Sequence, residues 1–301
     1  MFEREDRTLR ILSTLIGGLG NQMFGYAESL YYAERWGATL QLLSLPESRS
    51  SSFGYPRPFQ LSNFGIEAPV RIASLAHRMH QTNIRQLKPM IALCNSCLGV
   101  VCLAEPRQFA FHSDLQPPAN TRCVYLRGYW QAHQYVLAMK ERLRNDFRLR
   151  TEPSGHNRNL MERIRSADTP ISIHVRRGDY LHVGMALPIS YYDRAIAYMS
   201  ERFSSATFVV FSDDMDFARK QFGANLKAIF VEGNTAESAH EDLRLMSTCT
   251  HHIIANSTFS WWGAWLGDAP AKVVVSPRHW DSNPGHSYAD LYPPEWTLLD
   301  N

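Results

Sequence analysis

Apolar and polar positions along this chain fall into blocks that switch between two periods. Residues 9–15 form an apolar, partly β-branched run that predicts a strand, and it ends in Gly17-Gly18-Leu19-Gly20-Asn21-Gln22. After this glycine turn, Met23, Tyr26, Ala27, Leu30, Tyr31 and Ala33 recur at helical spacing up to Trp36, and residues 39–45 return to a strand pattern. The chain therefore opens on a β-α-β unit. Residues 46–70, rich in Ser, Pro and aromatics, read as a long loop, and 71–105 as a broken helical stretch. A short strand follows at 124–126, then Gly128-Tyr129-Trp130-Gln131 and a helix to about Asp146.

The second half alternates more regularly. Strands are expected at 171–175, 207–211, 228–231, 252–255 and 273–275. Between them the pattern places helices over 190–203 (headed by Pro188), 215–222, 238–247 and 259–266. Ser238 and Glu241 have the spacing of a capping box. Short strands alternating with helices predict α/β architecture with parallel sheets covered on both faces. No internal repeat or low-complexity segment interrupts the pattern. The polar, Pro- and Gly-containing stretch 150–158 is the linker candidate, which divides the chain into domains 1–150 and 151–301. A length of 301 residues suits two such domains better than one core.

Composition narrows the function classes. Hydrophobic residues make up 45% and the formal net charge is only +2, from 31 Lys and Arg against 29 Asp and Glu, so a nucleic-acid partner is not expected. The first seven residues carry both signs of charge and do not read as a signal peptide. No apolar run approaches the roughly 20 residues a membrane span needs. The expected location is the cytoplasm, with peripheral association at the inner face of the membrane left open. Five cysteines without a secretion signal point to reduced thiols. Cys94 and Cys97, with Cys102 nearby, form a lone C-x-x-C without a matching second pair. Inert thiols are the better reading than zinc.

Four motifs end predicted strands, where open α/β sheets bind ligands. Gly17 to Gln22 lacks the third glycine of a dinucleotide fingerprint and the Lys-Ser/Thr of a phosphate loop. It remains a tight turn that a ligand could approach, or a structural turn only. His174-Val175-Arg176-Arg177-Gly178-Asp179-Tyr180 gathers two arginines suited to a diphosphate. The plainer alternative is a salt bridge between Arg177 and Asp179. Ser212-Asp213-Asp214 offers carboxylates for ribose or a guanine N–H edge, or one helix N-cap; Asp214-Met215-Asp216 could also be read as a D-x-D metal pair, but arginines already suit that charge. Asn256-Ser257-Thr258-Phe259-Ser260 puts hydroxyls and N–H groups at a helix start. Trp261, Trp262 and Trp265 that follow suit a core better than a sugar-stacking platform.

Taken together with Asp242-Leu243-Arg244-Leu245-Met246-Ser247, these motifs resemble the α-1,2-fucosyltransferases of glycosyltransferase family 11, the bacterial members above all, in order from about residue 11 to 280. Gly128-Tyr129-Trp130-Gln131 is similar to a further family stretch. Gly25 departs from the Gln usual there, which bears on local packing or acceptor contacts. The resemblance implies a GT-B-like pair of Rossmann-like domains with a cleft between them. It implies an inverting transfer of L-fucose from GDP-fucose to the 2-hydroxyl of a terminal β-galactoside, in cell-surface glycan, lipopolysaccharide or O-antigen synthesis, with no cofactor and no metal. On that resemblance Arg176 offsets the leaving charge, and Asp179 is the candidate base. His174, Arg177, Asp213, Asp214, Asn256, Ser257, Thr258, Phe259, Gly18 and Asn21 hold the donor, while Gln22, Tyr129, Trp130 and Gln131 face the acceptor. An α-1,6-like linkage and a non-catalytic carbohydrate-binding protein are the competing readings.

Overall fold

The computed structural model of the chain describes residues 8–44, 51–52, 55–56, 58–73 and 98–301. Cys94, Cys97 and the first seven residues lie outside them. The chain divides into two compact units, Met1–Arg148 with Ala289–Leu291, and Leu149–Tyr288 with Tyr292–Asn301.

In the first unit, β1 (Arg10–Leu15) leads into α1 (Leu19–Arg35) and β2 (Thr39–Ser44). Two residue pairs, β3 (Ser51–Ser52) and β4 (Tyr55–Pro56), form a small antiparallel ladder. The strands β5 (Val70–Ile72), β6 (Val100–Ala104) and β7 (Cys123–Arg127) complete a parallel sheet in the order β5-β2-β1-β7-β6. Two corrections to the sequence reading arise here. The described ends of the stretch 71–105 are strands rather than helix, because their short β-branched runs pair with β2 and β7. The helix expected to reach Asp146 breaks at Met139 into α2 (His133–Ala138) and α3 (Lys140–Asp146). The aromatic side of α1 meets α2 through Tyr32, Trp130 and Tyr135 in one buried cluster.

The second unit begins with α4 (Gly155–Arg165), capped by Ser154, whose hydroxyl accepts the Asn157 N–H. Then come β8 (Thr169–Val175), α5 (Gly178–His182), α6 (Ile189–Arg202), β9 (Ala206–Ser212), α7 (Met215–Phe222) and β10 (Ala228–Phe230). The chain continues through α8 (Ala239–Ser247), β11 (His251–Ile253), α9 (Thr258–Leu266), β12 (Val274–Pro277) and β13 (Thr297–Leu299). All six strands are parallel, in the order β10-β9-β8-β11-β12-β13. Along β9, Phe208 and Val210 point into one apolar cluster with α6 and α7. Val209 and Phe211 point into the other, with α4 and α8. Burial on both faces is why these strands read as continuous apolar runs rather than alternating ones. The capping box expected at Ser238 does not form. Its hydroxyl accepts the Thr235 N–H, and Glu241 turns to Arg244 at 3.0 Å.

Helix α9 is held along its middle and at its C-terminus. Trp261 and Trp262 are buried. At the C-terminus, the Lys272 ammonium donates to the carbonyls of Ala264 at 2.5 Å and Gly267 at 2.6 Å. A cation there satisfies orphan carbonyls and complements the negative end of the helix dipole. Among the described residues no helix is long and apolar enough to cross a membrane. Cys102, Cys123 and Cys249 are free thiols, each pushed up in pKa by burial.

Candidate functional site

A sheet ordered 3-2-1-4-5-6 reverses direction between its first and fourth strands, here β8 and β11, and the crevice beyond their carboxyl ends is where such sheets bind ligands. The segment after β8 and the segment after β11 meet at that point. Tyr180 Oη donates to the Asn256 carbonyl at 3.2 Å, and the rings of His174 and Phe259 lie 5.6 Å apart. Asn256 is buried, and its Nδ2 donates to the carbonyls of Met185 and Trp280, both at 2.9 Å. It thus ties three loops to one amide. Ser257, which follows β11 closely, is the extended N-cap residue of α9 and makes no side-chain cap bond, so the first turn of the helix lies at the carboxyl end of β11.

Beside it stands a compact charge cluster. Arg176 donates from Nη2 to Asp179 at 2.6 Å and from Nη1 to Asp213 at 2.9 Å. Asp213 also accepts the Arg177 backbone N–H at 2.8 Å. Arg177 Nε reaches Asp214 at 3.0 Å, and its guanidinium lies over the Phe217 ring at 3.6 Å. The alternative of a salt bridge between Arg177 and Asp179 gives way to Arg176 with Asp179 and Arg177 with Asp214. The helical turn α5 sets Asp179 under Arg176, and Asp213 and Asp214 arrive from the neighbouring strand β9. Asp214 also caps α7 by accepting the Phe217 N–H at 3.2 Å, so the first carboxylate of the D-x-D pair is committed to Arg177 and the helix. Among the described residues no group of three or more metal-type side chains stands together. Two guanidinium groups face three carboxylates here, leaving one negative charge in excess. The arginines are thus oriented by these carboxylates rather than free-standing.

His174 is buried, and burial together with the nearby Arg176 charge lowers its pKa to about 3. It is a neutral imidazole at any working pH, able to accept or donate one hydrogen bond but not to bring charge. Its Nδ1 has no partner among the described residues.

Asp242 was quoted in a motif but given no role by sequence, since it lies on a helix with nothing local to mark it. It accepts the Asn234 Nδ2 at 2.7 Å, and Asn234 exchanges amide hydrogen bonds with Asn157, each 3.0 Å. Burial raises its carboxyl pKa to about 6, against the Asn234 bond, which lowers it. A raised carboxyl pKa means that the folded state favours the protonated form. Its stability is fully present below the ordinary carboxylate range and is lost as pH rises to about 6. Asp242→Asn, which mimics the protonated acid, is expected to match the parent near pH 3.5. Above about pH 6 it should gain on the order of 2 kcal/mol over the parent. Urea midpoints across that range check it; a constant difference at all pH values would refute it.

The first unit has a different strand order, with β7 rather than β6 beside β1 and β6 at the edge. The chain switches from one side of β1 to the other there, and the glycine turn and the 128–131 turn sit beyond β1 and β7 at this switch point. Gly17 has φ 76, which a side chain would strain, and Gly18 is the N-cap of α1. Asn21 Oδ1 accepts Gln131 Nε2 at 2.9 Å across the switch point. Gln22 is buried and fully engaged. Its Nε2 donates to the Gly17 and Pro58 carbonyls at 3.0 and 2.8 Å, and its Oε1 accepts the Gln60 N–H at 3.0 Å. It braces two loops rather than presenting an amide. Trp130 is 1% exposed and packs edge-on to Tyr32 and Tyr135. Of the four residues expected on the acceptor side, Tyr129 is half-buried, and Gln131 reaches Asn21. Glu105, next to this turn, was missed because the strand it follows, β6, was read as helix.

Comparison with known proteins follows the same lines. Residues 112–300 match the family described as Glycosyl transferase family 11. The chain is 30% identical over 311 residues to an Escherichia coli protein named alpha-1,2-colitosyltransferase, covering 96% of this chain and 99% of that one. It is 31% identical over 295 residues to the Mus musculus galactoside 2-alpha-L-fucosyltransferase Sec1, covering 93% and 71% respectively. In fold it is similar to the alpha-1,6-fucosyltransferase NodZ from Bradyrhizobium, crystallised with GDP, at a TM-score of 0.53 and 18% identity over 86% of this chain and 92% of that one.

Proposed function

The chain belongs to glycosyl transferase family 11, and from that we propose that it moves L-fucose from GDP-β-L-fucose to the 2-hydroxyl of a terminal β-galactoside, with inversion at the sugar C1. The observation that carries this is the switch point of the second unit. There the N-terminus of α9 opens beside an arginine that two carboxylates hold in place. Helix N–H groups and a fixed guanidinium are what a departing nucleoside diphosphate needs.

In the proposed reaction the acceptor oxygen forms the new bond to C1 as the bond from C1 to the diphosphate oxygen breaks. GDP takes the electron pair, and the acceptor proton passes to solvent. Arg176 donates to the β-phosphate as its charge grows. The N–H groups and hydroxyls of Ser257, Thr258 and Phe259 cradle the diphosphate. His174, neutral, offers its unpartnered Nδ1 to the nucleotide, and Asn256 fixes the loops around it. Arg177, Asp213 and Asp214 serve the donor by setting the backbone and the guanidinium of the cluster. Asp179, buried against Arg176, acts as its brace rather than as the base, since it is already hydrogen-bonded at 2.6 Å. Tyr129, Gln131, Asn21 and the Gly18 turn form the acceptor side. In this proposal the departing charge is met by Arg176 and the N–H groups at the start of α9 rather than by a metal, so activity is expected to persist after exhaustive chelation. Its loss and recovery with Mn²⁺ would return Asp214 and Asp216 as ligands.

The relative named for colitosyl transfer favours a second donor. Colitose is fucose without its 3-hydroxyl, and a site that hydrogen-bonds that hydroxyl rejects the analogue by several orders of magnitude. The deciding assay offers GDP-fucose and GDP-colitose with a panel of β-galactosides, followed by linkage analysis. Preferred fucosyl transfer with an α-1,2 product supports the proposal; an α-1,6 product, or no transfer from either donor, ends it.

A further inference from the structure

One polar group at the first unit's switch point has no place yet in the reaction. Glu105 directly follows β6, and its carboxylate turns under the backbone that follows β7. Its Oε2 accepts the Tyr129 N–H at 2.9 Å, and the Trp130 N–H bears on the same carboxylate. The approach is close enough to require glycine next door. A Cβ on Gly128 would stand 2.5 Å from Glu105 Cβ, 2.7 Å from Oε2 and 2.8 Å from Trp130 Nε1. The residue drawn down by this contact, Trp130, holds φ at 52°. A bulky side chain in the left-handed region costs about 1–3 kcal/mol and persists only where its surroundings over-determine it. Here the surroundings are the Glu105 carboxylate below and the Tyr32 and Tyr135 rings around the indole.

The reversal at Trp130 decides where its neighbours go. Tyr129 stays half-buried at the mouth of the turn, and Gln131 reaches Asn21 beside the glycine turn after β1. Three adjacent strand ends, β6, β7 and β1, are thus linked in a row from Glu105 through the turn to Asn21. We propose that Glu105 is a positioning residue for the acceptor: by holding the Tyr129 N–H it fixes the left-handed turn that aims Tyr129 and Gln131 at the acceptor sugar. The proposal rests on the reading that the first unit carries the acceptor side.

A second buried acid keeps this arrangement selective. Glu28 on α1 is fully buried, and its Oε2 accepts the Ser29 hydroxyl at 3.0 Å. Burial and the Glu105 charge push its pKa well up, so it remains a neutral acid. Burial raises the Glu105 carboxyl as well, but the Tyr129 N–H works against that rise, a compensation Glu28 receives only from the Ser29 hydroxyl.

The test compares Glu105→Ala and Glu105→Gln in the full chain. Ala removes both acceptor oxygens; Gln keeps one in nearly the same place. In Ala the acceptor kcat/KM is expected to fall by about 10–100-fold, almost wholly through acceptor KM. The donor KM and the rate of GDP-fucose hydrolysis by water stay within about twofold, because the switch point of the second unit is untouched. Gln recovers most of the loss. In a ¹⁵N–¹H spectrum the Tyr129 and Trp130 amide protons move upfield in Ala. A role in stability alone would lower the melting temperature and leave acceptor KM unchanged, and that result overturns the proposal, as does a parallel fall in donor hydrolysis. Should Ala not fold, Glu105→Met, which fills the same space without an acceptor oxygen, takes its place, and an acceptor KM equal to the parent's with an unmoved Tyr129 amide shift has the same force. If the parent itself transfers no sugar to a β-galactoside, the proposed function fails. The amide shifts still decide whether Glu105 holds the turn.

Discussion

Replacing Arg176 by alanine should lower kcat by about 10²–10³-fold while acceptor KM changes little. The guanidinium is presented by two carboxylates, Asp179 at 2.6 Å and Asp213 at 2.9 Å, and so is oriented before any donor arrives. A donor group that meets developing charge without reorganising contributes about 2.7–4 kcal/mol to the transition state, the range seen when one such donor is removed. Because that interaction strengthens as the diphosphate departs, its loss appears in kcat rather than in binding. Arg176→Lys should recover only part of the rate, since one ammonium cannot span two carboxylates and still face a phosphate. Steady-state kinetics with both substrates varied checks the split. Near-normal kcat in Arg176→Ala would remove this residue from the mechanism.

Trp261→Ala should destabilise the second unit by about 3–5 kcal/mol, the usual cost of truncating a large buried aromatic. The indole is fully buried and lies 5.1 Å from the Trp262 ring and 5.3 Å from Trp296. No such loss follows from a sugar-stacking platform, whose tryptophan faces solvent. Chemical denaturation, with ligand-free protein, separates the two: a midpoint equal to the parent's would put the ring on a binding surface.

The strands of the second unit were legible because both faces of the sheet are covered, so each reads as an unbroken apolar run. In the first unit, β5 is exposed along its whole length and β6 is only half-buried at the other edge. β5 is three residues broken by Arg71, and β6 is an apolar run of five, too short for its period to tell a strand from a buried helix, so the helical reading of 71–105 failed there. The motif positions at the strand ends were legible for a similar reason, since glycines, paired arginines and a Ser-Thr helix start have few structural uses in common. The pairings were not. Asp179 is three residues from Arg176 and two from Arg177, so the choice depends on the α5 turn. Asp213 and Asp214 come from another strand altogether. Gln22 and Trp130 carry the chemistry of ligand contacts and serve as braces, because a side chain's type does not reveal which way its backbone turns.

Lys272 illustrates a further consequence. Its ammonium clamps the far end of α9, away from the switch point. On the proposed reading, the opposite end of the same helix receives a diphosphate. The influence of a charge on a helix terminus falls off within one turn, so the clamp belongs to the C-terminal end alone: it keeps the last carbonyls from fraying and leaves the charge at the other pole to the groups that surround it there.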